Sequence, residues 1–543
     1  MPSGELLSVP AGPSQLRSIS LLMKMSKNQL ALPHGHPSHG GIKLSILSPR
    51  RRRAEAALWR AAQAEGTSGE MTEERGNQEK CASSPQPSPP SDGGEGETEE
   101  LDVPLHPTSN RTHWSRRKFV STLAQSTAVG VALGSSGLAL AATESTRRTS
   151  RPRKIAILAT EVRKLSHAQH FIDRFLEGYG WEGRHHHPPM KLAGLYVDQF
   201  ADNDLSRERA RRHHVKLCPT VAEALTLGTS KLAVDGVLLI GEHGTYPRNE
   251  KAQTLYPRHR MFLEIVEVFK ASGRAVPVFN DKHLSTDWNE CVDMVRTAKE
   301  LGFPFLAGSS LPVTWRLPAV EIPLHTPLTE SVCVGYGGID SYDFHGLETA
   351  QCMSERRAGG EVGVKSVHAV RGQKVWEMLE ARETTQQAFF SAVARSHTCR
   401  AGSGYTYGMP DLDWLQEQGE SPLAYFIEHL DGFRTSLFIL NGLVGDFNYG
   451  GLVKDANEVF SCQMYLPMPP ARATLADFFN PLSNNIERMI LEGVAPYPVE
   501  RTLLTSGMVL SAVESLYRGQ VPLDTPELKV AYQAAADSTY WRA

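Results

Sequence analysis

Three short clusters concentrate the groups that move protons. They are Gly241-Glu242-His243-Gly244, Asn280-Asp281-Lys282-His283, and a run from Gly337-Gly338 through Asp340 and Asp343 to His345 and Glu348. An imidazole can take a proton from a substrate hydroxyl, and a nearby ammonium lowers the cost of the alkoxide that forms. His345 and Glu348 stand three residues apart, so a helix starting there puts both on one face. The flanking glycines permit close backbone approach to a ligand. Solvated loops and a capped helix are the plain alternative; the density of titratable groups favours a site. The same clusters admit a metal-dependent hydrolase or lyase. Glu242, His243, Asp281, His283, Asp343 and His345 form the kind of imidazole and carboxylate set that divalent ions accept. His185-His186-His187 and His213-His214 read as surface features instead.

The elements around these clusters alternate. Lys154 to Leu158 is an apolar strand, and Ser166-x-x-Gln169 has capping-box spacing ahead of a helix through Phe171 and Phe175. Strands follow at 192–197, 237–240, 276–279 and 305–307, with helices at 205–213, from Thr220, at 261–270 and at 287–301. Strand–helix alternation predicts a Rossmann-like, doubly wound parallel sheet, with ligands at the carboxyl ends of its strands. Two of the three clusters sit just past such ends. A third end, Ala159 to His167, lacks the Gly-x-Gly-x-x-Gly turn that lets backbone amides reach a pyrophosphate. Asp198, after the second strand, stands where an acid would hold a ribose hydroxyl. After Pro318 the rhythm changes, with a helix at 344–357, strands at 362–369 and 461–466, and helices at 485–491 and 499–518. This predicts a C-terminal α+β domain with a mostly antiparallel open sheet. The domain ranges are therefore 153–318 and 319–543.

The 543 residues carry a formal net charge of −3, and no basic block is long enough to argue for nucleic acid. Seven cysteines contain no Cys-x-x-Cys pair, which argues against a zinc ribbon or a dense disulfide framework. Ser115-Arg116-Arg117-Lys118-Phe119-Val120 precedes a weakly apolar run ending at Ala139-Leu140-Ala141-Ala142. That is the layout of a twin-arginine export signal, assigned to residues 113–142, and it predicts an exported bacterial protein. Residues 1–112 include the low-complexity stretch Ser83 to Glu100 and read as a disordered leader or an over-extended reading frame.

Gly273-Arg274-Ala275-Val276 leading to Asp281-Lys282-His283, then Phe305 to Ser309, resembles the end of the dinucleotide-binding domain of the glucose–fructose oxidoreductase and inositol dehydrogenase family (Gfo/Idh/MocA). Asp343-Phe344-His345-Gly346-Leu347-Glu348 resembles the His-x-x-Asp half of that family's second-domain motif. Phe478-Phe479 leading to Ile486, and the late helix through Glu500 to Tyr517, are similar as well. The resemblance spans most of residues 153–540. It implies hydride transfer between NAD or NADP and a sugar or cyclitol, with His345 as acid/base, Lys282 as its partner and Glu348, beside Asp343, orienting the imidazole. It also implies Asp198 on the adenosine ribose, and Thr160, Glu161, His167, Glu242, His243 and Asp281 along the cofactor, with no metal ligand. The implied partners are the small substrate, the twin-arginine translocase and a second copy of the chain, paired through the open sheet. Counted back from His167, the family's three glycines fall on Ala159, Glu161 and Lys164. Two gain long side chains, and Glu161 brings negative charge toward a pyrophosphate. A carbohydrate-binding protein that kept the fold and lost the chemistry is a third reading, with Tyr336, Tyr342 and Trp315 stacking on sugar faces.

Overall fold

In the computed structural model, residues 151–399, 411–455, 458–467 and 474–542 are described. The expected leader (residues 1–112) and export signal (residues 113–142) lie outside them. Six parallel strands form the first sheet: β1 (Arg153–Ala159), β4 (Met190–Val197), β5 (Lys216–Cys218), β6 (Gly236–Ile240), β7 (Val278–Asp281) and β8 (Phe305–Gly308). A small hairpin, β2 (Tyr179–Trp181) and β3 (Arg184–His186), separates the first two. The spatial order β5-β4-β1-β6-β7-β8 is the dinucleotide-fold order, in which the chain reverses direction beside β1.

The near-continuous apolar character of β1 and β6 follows from burial on both faces. Ile155, Ile157 and Ala159 point into one layer with Phe171 and Ile172 of the helix His167–Glu177. Ala156 and Leu158 point into the other, with Met261, Ile265 and Met294 of the helices Arg258–Ser272 and Trp288–Leu301. Three helix starts are fixed by side chains: Ser166, Thr220 and Asp287 each accept a backbone N–H two or three residues on.

The second sheet has eight strands. They are β9 (Arg316–Leu317), β10 (Leu328–Gly335), β11 (Val364–Arg371), β12 (Leu423–His429), β13 (Arg434–Ile439), β14 (Phe447–Val453), β15 (Val459–Met464) and β16 (Leu523–Asp524). Their order is β16-β11-β12-β13-β10-β14-β15-β9. All pairs are antiparallel except β10 with β13. Alternate residues face opposite ways. Cys333, Tyr425, Leu437 and Tyr449 meet the helices Tyr342–Ser354 and Glu500–Tyr517. Val332, Val334, Ala424 and Phe438 meet the helices Gln373–Glu380, Glu383–Val393 and Leu412–Gln418.

Residue 318 is not a clean boundary. β9 belongs to the second sheet, and the segment after β15 returns to the first. Phe478, Phe479, Leu482, Ile486 and Met489 pack on the helix His167–Glu177 and the β1 layer. The helix Asn480–Glu492 therefore covers the sheet to which the sequence pattern had not assigned it.

A buried ion pair ties the end of the helix Tyr342–Ser354 to the helix Glu500–Tyr517 within the second domain. Arg501 Nε and Nη2 donate to Glu355, at 2.8 and 2.6 Å, and Tyr532 donates to the same carboxylate at 2.9 Å. Both ionic partners are almost wholly enclosed. Removing one partner leaves the other charge stranded, which costs about 3–5 kcal/mol. Glu355→Ala should lower unfolding free energy by about that amount in urea titrations. A loss below about 1 kcal/mol would mean that the pair is no more than a surface-type bridge.

Candidate functional site

The carboxyl ends of β1, β6 and β7 open onto one crevice, closed from the far side by the start of the helix Tyr342–Ser354. Past β7, Lys282 takes a left-handed backbone (φ 66°), and its N–H donates to the Gly308 carbonyl at the end of β8. Past β6, His243 is also left-handed (φ 70°). Such conformations cost about 1–3 kcal/mol each in non-glycine residues and are held by their surroundings. Here they turn the following side chains across the strand ends.

The strand-end residues form a chain of contacts. Lys282 Nζ lies 3.0 Å from Glu242 Oε1. His167 Nδ1 lies 2.8 Å from Asp281 Oδ2 and 3.6 Å from Glu242 Oε2. Arg163 donates to His243 Nδ1 at 3.2 Å and pairs with Glu161 at 2.8 Å. Arg258 donates to the Gly241 carbonyl at 2.8 Å and to His283 Nε2 at 3.0 Å, clamping the β6 loop to the β7 loop. Tyr342 links the two lobes. Its ring is 5.9 Å from Lys282 Nζ and 5.8 Å from the His345 ring.

Burial and charge set the protonation states. Burial disfavours the Glu242 carboxylate, but His167, Lys282, His243 and Arg258 outweigh it and hold its carboxyl well below the usual range. Burial likewise opposes the Lys282 ammonium, yet Glu242 and Asp281 keep its pKa above the ordinary value. His345 is pushed well down by burial first, then by Lys282 and His167, so its imidazole is neutral. His243 falls to about 4, chiefly through burial. Burial lifts Asp340 to about 7, with Asp343 adding to the shift. Several buried polar atoms here have no protein partner: Glu242 Oε2, Asp281 Oδ1, His243 Nε2, His283 Nδ1 and His345 Nδ1. Buried polar groups are rarely left unpaired, so such a concentration marks a place where a ligand completes the bonding.

His167, Glu242, Asp281, Lys282, His243 and His345 are thus brought together. Other expected members are not. Glu348 does not orient His345: its Oε2 accepts the Ser309 N–H at 2.7 Å, inside the domain junction. Asp343 caps its own helix, accepting from Ser341 and Phe344 N–H, and takes the Tyr425 hydroxyl at 2.8 Å. Thr160 donates to the Glu242 carbonyl at 2.6 Å and works as a tie between loops. Asp198 is engaged by Tyr196 and Arg260 on Oδ1, at 2.6 and 2.8 Å, and by Tyr246 on Oδ2, at 2.7 Å. In the six-residue metal set of the sequence reading, His283 is held by Arg258 and Asp343 by Tyr425, so the set does not converge. Arg258 was missed, and Tyr342 was named only as a ring that could stack on a sugar. A cation at the first turn of a helix opposes the helix dipole, and that anomaly was the available signal for Arg258.

The same observations test the dinucleotide. Glu161 is buried where a glycine would let the backbone meet a pyrophosphate. The turn closes on itself: Arg163 N–H donates to Ser166 Oγ at 3.1 Å, and Leu165 N–H to Gln169 Oε1. Both Asp198 oxygens already accept side-chain donors. The turn after β1 does not offer a pyrophosphate the glycine backbone of the usual dinucleotide site.

No protein-family model and no curated protein matches this chain. Solved structures similar to it include GenD2 from gentamicin A biosynthesis in complex with NAD, at 11% identity and TM-score 0.43, covering 69% of this chain and 97% of that one. The myo-inositol dehydrogenase from Lactobacillus casei in complex with NAD(H) and myo-inositol aligns at 10% identity and TM-score 0.41, covering 69% and 96%. A Gfo/Idh/MocA family oxidoreductase from Vibrio cholerae aligns at 12% identity and TM-score 0.39, covering 67% and 98%. At these values the likeness carries no functional argument. Among the described residues, no helix is long and apolar enough to cross a membrane.

Glu348 gives a test of the junction. Burial lifts its pKa from 4.5 to about 7. The folded state therefore keeps a proton that the unfolded chain releases, and this group's contribution to stability declines as pH rises from about 4.5 to about 7. Glu348→Gln should flatten that decline in denaturant titrations across the interval. An unchanged slope would mean that the carboxyl is ionised in the fold.

Proposed function

We propose that the protein is an enzyme of redox-neutral proton transfer on a carbonyl-bearing sugar or cyclitol, of the isomerase, epimerase or lyase kind. One observation carries the reading. Lys282 and His345 come from separate lobes, meet across Tyr342 in one buried crevice, and are respectively charged and neutral. The neutral imidazole with an unpartnered Nδ1 takes the proton from the carbon beside the carbonyl. The electron pair moves onto the carbonyl oxygen, and the Lys282 ammonium stabilises the enediolate. His345 returns the proton to the neighbouring carbon while the hydroxyl proton of that carbon passes to the first oxygen, leaving the carbonyl moved by one position, or returns it to the same carbon, which is the exchange read in deuterated water. Lys282 is itself held by Glu242, which fixes its position and its charge.

Hydride transfer is the second reading, supported by the resemblance of Asp281-Lys282-His283 and of His345-x-x-Glu348 to motifs of the nicotinamide oxidoreductases. The closed β1 turn weighs against it. Both readings take a polyhydroxylated small molecule. The Arg116-Arg117 signal supports meeting it outside the cytoplasm; cell fractionation should find the protein exported, and Arg116→Lys with Arg117→Lys should retain it inside.

The main test uses aldoses, ketoses and inososes in deuterated water. Proton NMR should show deuterium entering beside the carbonyl of at least one of them. His345→Ala should slow that exchange by about 10²–10⁴-fold while leaving the fold intact. The acid limb of the rate profile should lie well below pH 6.5, because His345 stays neutral there. If no compound exchanges, or if NADH binds saturably by fluorescence and supports turnover, this reading fails and hydride transfer replaces it.

A further inference from the structure

We propose that His167, Glu242 and Asp281 form a binding site for one divalent cation of the manganese or zinc class. One ligand atom from each lies within 4.8 Å of the others, as donors around a single ion must. The set is one imidazole and two carboxylates. Imidazole suits zinc and other borderline ions, and carboxylates suit manganese, so this mixture selects that class over an alkali ion.

The geometry shows more than a group of acids. Asp281 is fully enclosed, yet its Oδ1 has no protein partner. Glu242 divides its two oxygens. Oε1 is taken by Lys282 at 3.0 Å, while Oε2 is unpartnered and faces His167 Nδ1 at 3.6 Å. An ion accepting that free oxygen would find Glu242 already oriented from behind by Lys282, as outer-shell groups orient metal ligands. The ring of Phe479 lies edge-on to His167 at 5.0 Å and restricts its rotation. Asp281 ends β7, Glu242 follows β6 by two residues, and His167 opens the helix His167–Glu177, whose start is capped by Ser166, so each is placed by regular structure. Without an ion, two carboxylates face each other across a single imidazole with one oxygen each unsatisfied.

Such an ion would lie beside Lys282, at the wall of the crevice. It would suit the oxygens of a sugar or an enediolate, where a Lewis acid adds to the ammonium's effect. The cation site does not rest on the reaction proposed above, because binding is read on the resting protein.

The test is isothermal titration of the chelator-stripped full chain with Mn2+ alone, backed by the electron paramagnetic resonance signal of free Mn2+. One ion per chain is expected. Asp281→Asn and His167→Gln should each weaken binding by at least about tenfold, and Asp198→Asn should leave it unchanged. Zn2+ should displace the Mn2+ competitively. If Asp281→Asn fails to fold, His167→Gln at the crevice rim decides the matter. Absence of saturable binding, or binding that survives both ligand substitutions, overturns the proposal and leaves an internal salt-bridge network. Intact Mn2+ binding without any deuterium exchange would overturn the reaction class only.

Discussion

The Lys282–Glu242 contact is the constraint on which the crevice depends. An ammonium and a carboxylate buried together each relieve the desolvation of the other, and removing either would leave an uncompensated charge. Because Lys282 extends from a left-handed backbone at the end of β7 and Glu242 follows β6, the pair also fixes the spacing between two loops. Arg258 reinforces it by holding the Gly241 carbonyl and His283. His345 then lies in a field that is positive and dry, which keeps its imidazole neutral. The ion pair thus sets the charge of the crevice and adds to the burial that keeps His345 neutral.

The turn after β1 shows how a scaffold can keep its strand order and change what its strand ends receive. At the three glycine positions stand Ala159, the buried acid Glu161 and Lys164. Beside them Arg163 pairs with Glu161 and reaches His243 of the β6 loop, and Ser166 accepts the Arg163 N–H. The sheet is indifferent to this, because its stability comes from the two apolar layers on either side of β1 and β6. Fold and ligand are set by different residues, as expected when function resides in sites grafted on a common framework.

Much of the first domain was legible because its signals are local. Ser166, Thr220 and Asp287 cap the helices that their spacing predicts, and the apolar runs at β1 and β6 are strands because both faces are covered. The strand expected at 276–279 is displaced to Val278–Asp281, since Pro277 has no N–H to give the ladder. The second sheet was poorly legible. β10, β12, β13 and β14 were not anticipated, although Asp431-Gly432 between two apolar runs is a hairpin signal. The site was legible as clusters and illegible as roles. Sharing a helix face with His345 does not place Glu348 against it, because Ser309 arrives from another strand to claim the carboxylate. Asp198 looked like a ribose ligand until Tyr246 and Arg260, far away in sequence, closed on it.

The three helices between β11 and β12 lie over the outer side of the eight-stranded sheet and seal Val332, Val334, Ala424 and Phe438 from water. The sheet that carries the helix of His345 on its inner side is thus backed on the other by helices of the same chain.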